Sequence, residues 1–222
     1  MNIKIKWMMV LLPILILTGC YNTTATSLPL DTPLPETPGE GSYPIPETLA
    51  DIEEQTENIV RVEMKGIHHL GELDPEKEEY VWTLTVSQVE VLDVIEGSLE
   101  VGDNIYVGEP YYISHGEDLQ RIGGYVPMNN GEDYLLFLSN LTHETWLEEP
   151  VDSWMIDFLG FGQHRPGKEV DFYDDAYSRN IKKFQTYSDL LDYNFVASRA
   201  DEVEAYKTIR QDIEEKYFSV FE

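Results

Sequence analysis

YVWTLTVSQVEVLDV, residues 80–94, is the stretch whose reading decides the fold. β-Branched and aromatic residues dominate it and neither Gly nor Pro interrupts it, so it reads as one long strand. Its apolar positions run Tyr80, Trp82, Leu84 and Val86, then shift to Val89 and Val91. A period of two that slips by one near Gln88 is the pattern of a β-bulge, and a long bulged strand coils a sheet toward closure. The expectation is a small closed barrel.

The flanking sequence agrees. Ile59 to Lys65 alternates, with Val60, Val62 and Met64 on one face and Arg61, Glu63 and Lys65 on the other, until Gly66 ends or kinks the strand. Thr48 is placed to cap a short helix reaching Glu57. Downstream, Gly97 and Gly102-Asp103 turn the chain into a strand at Asn104 to Val107, and Gly123-Gly124 precede one at Tyr125-Val126. Asn129-Asn130-Gly131 is the strongest turn signal. It leads into Tyr134-Leu135-Leu136-Phe137-Leu138, a continuous apolar run of the kind found in a strand covered on both faces. Trp154 to Phe161 and Val170 to Tyr173 are further strands, and Gly160-Phe161-Gly162 with Gln163 to Gly167 reads as a strand end and turn. Beyond Asp174 the pattern becomes helical: Ser188 is placed to cap Asp189 to Tyr193. Ala200 to Val220 carries Val203, Tyr206, Ile209, Ile213, Tyr217 and Val220 at helical steps, with Asp212 and Lys216 as an exposed pair. The fold class is mainly β with α: a small β-barrel or sandwich over 47–174 and a helical segment, 175–222, packing on it.

The N-terminus is an address. Lys4 and Lys6 precede an apolar stretch from Trp7 to Leu17, too short to span a membrane as a helix, which makes 1–19 a signal peptide. It ends in Leu17-Thr18-Gly19-Cys20, which resembles the lipobox of bacterial lipoproteins. A thiol is the nucleophile needed to take up a diacylglyceryl group, and small Thr18 and Gly19 admit a peptidase, so Cys20 becomes the lipidated N-terminus. Residues 20–46 hold six of the twelve prolines among Thr, Ser, Gly and Glu, and are expected to be a disordered tether. The chain is then anchored at the cell membrane facing outside the cytoplasm.

Composition excludes several functions. Fifteen basic against 42 acidic residues, a formal charge of −27, excludes a nucleic-acid partner and favours a basic protein or envelope ligand, or a divalent cation. A single cysteine excludes disulfides and Cys-based zinc sites. No Gly-x-Ser-x-Gly elbow, phosphate-binding Gly loop, His-Glu-x-x-His helix or EF-hand loop occurs, and no cofactor is expected. His68 and His69 with Glu72 and Asp74 are weak metal candidates, because adjacent strand residues point to opposite faces; a solvated acidic loop is the favoured reading. Asp171, Asp174 and Asp175 form a second acidic group of the same character. Tyr111, Tyr112, Tyr125 and Trp146 lie near predicted loops and form a candidate aromatic binding face, while His115 and His143 read as loop histidines.

Val89 to Gly97, Val101-Gly102-Asp103-Asn104-Ile105 and Gly131 to Leu138 together carry a resemblance. The region from Ile59 to Leu138 resembles an uncharacterised domain of lipoproteins from Gram-positive bacteria, and its order of elements is similar to the OB-type barrel of netrin-like and metalloprotease-inhibitor domains. The resemblance implies a small five-stranded OB-like barrel over 47–174, used for binding rather than catalysis. It does not bring inhibition with it: those inhibitors use a free N-terminal cysteine at the barrel's edge, whereas Cys20 here is the lipidated residue, and their bracing disulfides are missing. Glu96 also stands where such lipoproteins often have Lys. The reading is a non-catalytic binding module, with a carboxylate-dependent envelope hydrolase or a protease-inhibitor-like domain as alternatives.

Overall fold

The computed structural model describes residues 27–35, 43–73, 84–114, 117–141, 153–172 and 184–222. A short helix, α1 (Leu49–Glu53), leads into strands β1 (Asn58–His69), β2 (Thr85–Glu96) and β3 (Asn104–Glu109). A small hairpin, β4 (Tyr111–Ile113) and β5 (Leu119–Arg121), is followed by β6 (Asp133–Asn140), β7 (Ser153–Ile156) and β8 (Gln163–His164). The described chain ends with β9 (Glu169–Phe172), β10 (Tyr193–Ala197) and helix α2 (Ala200–Tyr217).

Five strands close a barrel in the order β1-β2-β3-β7-β6, with β6 pairing back to β1. Pairing is antiparallel throughout except between β3 and β7, the strand order of an OB-type barrel. Val60, Val62, Met64, Val89, Val91, Ile105, Val107, Tyr134, Leu136 and Leu138 fill the interior. The intervening Ile59, Leu135 and Phe137 point outward into a second core with Val203, Tyr206, Ile209, Ile213 and Tyr217 of α2. That explains the unbroken apolar run in β6: both faces are covered.

The apparent phase slip in residues 80–94 has a different cause from the one expected. Tyr80 to Thr83 lie outside the described residues, but from Thr85 onward the interior face runs Thr85, Ser87, Val89 and Val91 without a break, all fully buried. Two hydroxyl side chains occupy inward positions, and the pattern of apolar residues alone misses them. The register shifts lie elsewhere: Lys65 and His68 are extra residues in β1, and Leu92 and Ile95 in β2. Gly66, at φ 150°, kinks β1 rather than ending it. Residues supplied from both strands bend the pair and let the sheet close.

The turn from β2 to β3 hangs on Asn58, whose Oδ1 accepts the Ser98 and Leu99 N–H groups at 2.8 and 3.2 Å. A Cβ on Gly97 (φ 117°) would overlap that side chain. Asn58→Ala strands two donors beside a buried site and is expected to cost about 2 kcal/mol, read as a lower urea midpoint.

Three expected segments differ. The strand expected over Trp154 to Phe161 stops at Ile156, because Phe158 and Leu159 adopt left-handed backbone (φ 49° and 57°) before a 3-10 turn at Leu159–Gly162. Tyr125 forms only an isolated bridge to Phe195. The segment 175–222 is not purely helical: Thr186, not Ser188, caps a 3-10 turn at Tyr187–Leu190 through Asp189, and the chain then extends into β10, parallel to β9. α2 stops at Tyr217, leaving Val220 half-buried in a 3-10 turn, and Lys216 pairs with Glu53 of α1 at 2.9 Å rather than with Asp212.

Residues 27–35, expected to belong to the tether, are instead a strap on the body. Leu28 and Leu34 are buried, while Pro29 and Pro33 face outward. The strap's carbonyls do the pairing that its prolines cannot: Leu30, Thr32 and Pro33 accept from the Ser188, Tyr187 and Leu119 N–H groups, and Leu34 N–H donates to Gln185, all at 2.8–2.9 Å.

Candidate functional site

The expected aromatic face does not form. Tyr111 and Tyr125 are fully buried, their rings stacked with centroids 6.4 Å apart. Both follow Gly or Pro turns, which suggested loops, but the chain after each turn sends the ring inward. Tyr112 is half-buried in the β4–β5 hairpin, and Trp146 lies outside the described residues. So do Asp74, His115, His143 and Leu17-Thr18-Gly19-Cys20. His68, His69 and Glu72 are exposed. Among the described residues no group of three His, Cys, Asp or Glu side chains is gathered to hold a metal.

The barrel interior holds an acid that the sequence reading missed. Glu109, at the end of β3, is fully buried and accepts from the Ser87 hydroxyl, from Tyr125 Oη at 2.7 Å and from the Met128 N–H at 2.8 Å. Thr85 completes the polar layer, accepting from Gly71 N–H and donating to Tyr111 O, each at 3.0 Å. Burial pushes the Glu109 carboxyl up to about 7, against the pull of its three donors. The signal was present in the sequence: Glu109 falls in phase with Ile105 and Val107 on β3, as Ser87 does with Val89 and Val91 on β2. With three donors on its oxygens and no exposed atom, this acid ties β2, β3 and the segment 125–128 together.

A second buried polar group lies between the barrel and α2. The His164 ring donates from Nε2 to Phe161 O at 2.7 Å, because a carbonyl only accepts; Nδ1 then faces Tyr206 Oη at 3.0 Å. Burial and the Arg210 charge push this imidazole down to about 3, so it is neutral. Arg165, also buried, is held by Glu132 and by the Leu191 and Tyr193 carbonyls.

Polar and charged side chains line the outer face of β1–β3. α2 packs over β6 and the start of β1, leaving Glu63, Lys65, Gln88, Glu90, Asn104 and Tyr106 half-buried or exposed. Lys65 bridges Glu90 at 2.6 Å and Glu63 at 2.9 Å. His68 reaches across β2 to lie on Tyr106, ring centroids 4.6 Å apart. This face of strands 2 and 3 is the one on which OB-type barrels bind their ligands. The bulge in β1 puts His68 there, which alternation alone could not place.

No protein-family model matches the chain, and no curated protein matches it.

Proposed function

We propose that this is an exported lipoprotein, anchored through diacylglyceryl-Cys20, whose barrel is a non-catalytic module binding a basic protein or envelope ligand on the β1–β3 face. The observation that carries the binding reading is the polar outer face of β1–β3, where Lys65 with its two acids and the His68–Tyr106 ring pair stand half-buried or exposed. The lipobox supports the anchor. Loss of Lys4 and Lys6 with the signal peptide leaves 13 basic against 42 acidic residues, which supports a basic ligand.

Amine crosslinking on intact cells tests this, since Lys65 stands in the middle of the face. One dominant partner joined at Lys65 is expected, with yield reduced about tenfold by Tyr106→Ala, a loss of roughly 1.4 kcal/mol. Cys20→Ala is expected to move the chain from the membrane to the soluble fraction. Crosslinks scattered evenly over the surface, unaffected by Tyr106→Ala, would remove the binding face. A Cys20→Ala chain that stays with the membrane would remove the anchor.

A further inference from the structure

The strap alters how far an N-terminal anchor lets the body travel. A tether running to Pro46 would allow a broad range of heights above a membrane. With Leu28 and Leu34 buried and four backbone hydrogen bonds holding 27–35 to the body, only residues 21–26 separate Cys20 from the strap. Those six residues reach about 20 Å when fully drawn out at about 3.3–3.6 Å each.

We propose that the body is held strap side first at a lipid surface, with the Leu30-Asp31 turn and the neighbouring Ser188 facing the head groups. The inference rests on the anchoring of Cys20 proposed above and adds the orientation and height of the body. The strap is suited to this position. Asp31 is the one charge in residues 27–35, and Leu30, 54% exposed, is one of two exposed large hydrophobic residues among those described. The acids of the β4–β5 turn, Glu117 and Asp118, stand beside it, because Leu119 is bonded to Pro33. Their repulsion from anionic lipid is screened over about 8 Å at physiological ionic strength. The leash reaches past that layer, so charge keeps the body from lying flat while the leash keeps it from leaving. Ligands of this module would therefore be met within a shell of about 20 Å above the membrane.

The test uses the lipidated full-length protein carrying Ser188→Cys. Because Cys20 is consumed as a thioether, the introduced thiol is the unique site for a donor dye. The protein is placed in phosphatidylcholine and phosphatidylglycerol vesicles bearing acceptor dyes on their head groups, beside a second form with about twenty Gly and Ser residues inserted before Ser27. The insertion leaves the strap docked and adds a flexible Gly and Ser coil of about 25 Å to the leash, so energy transfer is expected to be about twofold higher without it. Equal transfer from the two forms, with both bound to vesicles, overturns the leash and leaves the anchor standing. Failure of both forms to partition into vesicles overturns the anchoring reading itself, and the leash with it.

Discussion

Phe195→Ala is expected to lower stability by about 3–5 kcal/mol, a large share of the roughly 5–15 kcal/mol that holds a typical domain folded, read as a lower urea midpoint. Phe195 lies in β10, and its ring is stacked on Tyr206 of α2 with centroids 4.3 Å apart and planes 13° apart, while Phe161 approaches at 5.1 Å. Two glycines flank it. A Cβ on Gly160 would stand 2.9 Å from the ring, and one on Gly124 closer still. The chain thus has no side chain at two positions so that one ring can sit between barrel and helix. Truncation empties a site whose walls are backbone and rigid aromatics, which collapse poorly, so the cavity penalty is retained.

The same geometry predicts non-additivity. Gly124→Ala alone forces the ring aside and is expected to cost about 1–3 kcal/mol. In a Phe195→Ala background the added methyl enters space already vacated, and most of that cost should vanish. Urea midpoints of the four proteins in the cycle measure the coupling. Additive losses, or a Phe195→Ala chain within about 1 kcal/mol of wild type, would mean that the ring is not clamped as described.

Periodicity carried the sequence reading as far as the barrel because most inward positions are apolar. It failed at Thr85, Ser87 and Glu109, where a polar layer crosses the interior, and a mixed polar and apolar face looks like a change of phase. β10 was read as helical for a related reason. Asp192-Tyr193-Asn194-Phe195 alternates over too few residues to outweigh the nearby capping signal, and its strand form depends on β9 beside it and on Asn194, which donates to Arg165 O and accepts the Arg165 N–H, both at 2.9 Å. The strap was missed because proline content argues against regular structure and says nothing of whether carbonyls between prolines can pair with another segment. Among site residues, Tyr111 and Tyr125 were placed by the turns before them, yet which way a ring points after a turn is a tertiary outcome. His68 and Tyr106 come together only through the bulge.

The buried acid and the buried base together make a pH-dependent prediction that neither makes alone. Glu109 is pushed up to about 7 from an ordinary 4.5, so its stabilising contribution is complete below pH 4.5 and is lost as pH rises through 7. That gap corresponds to about 3 kcal/mol. His164, pushed down to about 3 from 6.5, acts in the opposite sense: its contribution is complete above pH 6.5 and is lost as pH falls below it. Between these values the folded chain holds a proton on Glu109 that the unfolded chain lacks, and the unfolded chain holds one on His164 that the folded chain lacks. The two proton counts cancel, so the pair leaves wild-type stability nearly level across that window. Single substitutions remove the balance. Glu109→Gln is expected to lose stability as pH falls from 6.5 to 4.5, and His164→Gln to gain it, each by about 1.4 kcal/mol per pH unit. Asp157, raised to about 6 by burial despite its bonds from Ser139 and Thr56, titrates alike in both variants and drops out of the difference between them. Urea midpoints taken at several pH values should therefore diverge in opposite directions. Parallel profiles in wild type and both variants would show that neither group is shifted in the folded protein, whereas a single variant that follows wild type would show that the group it replaces is the unshifted one.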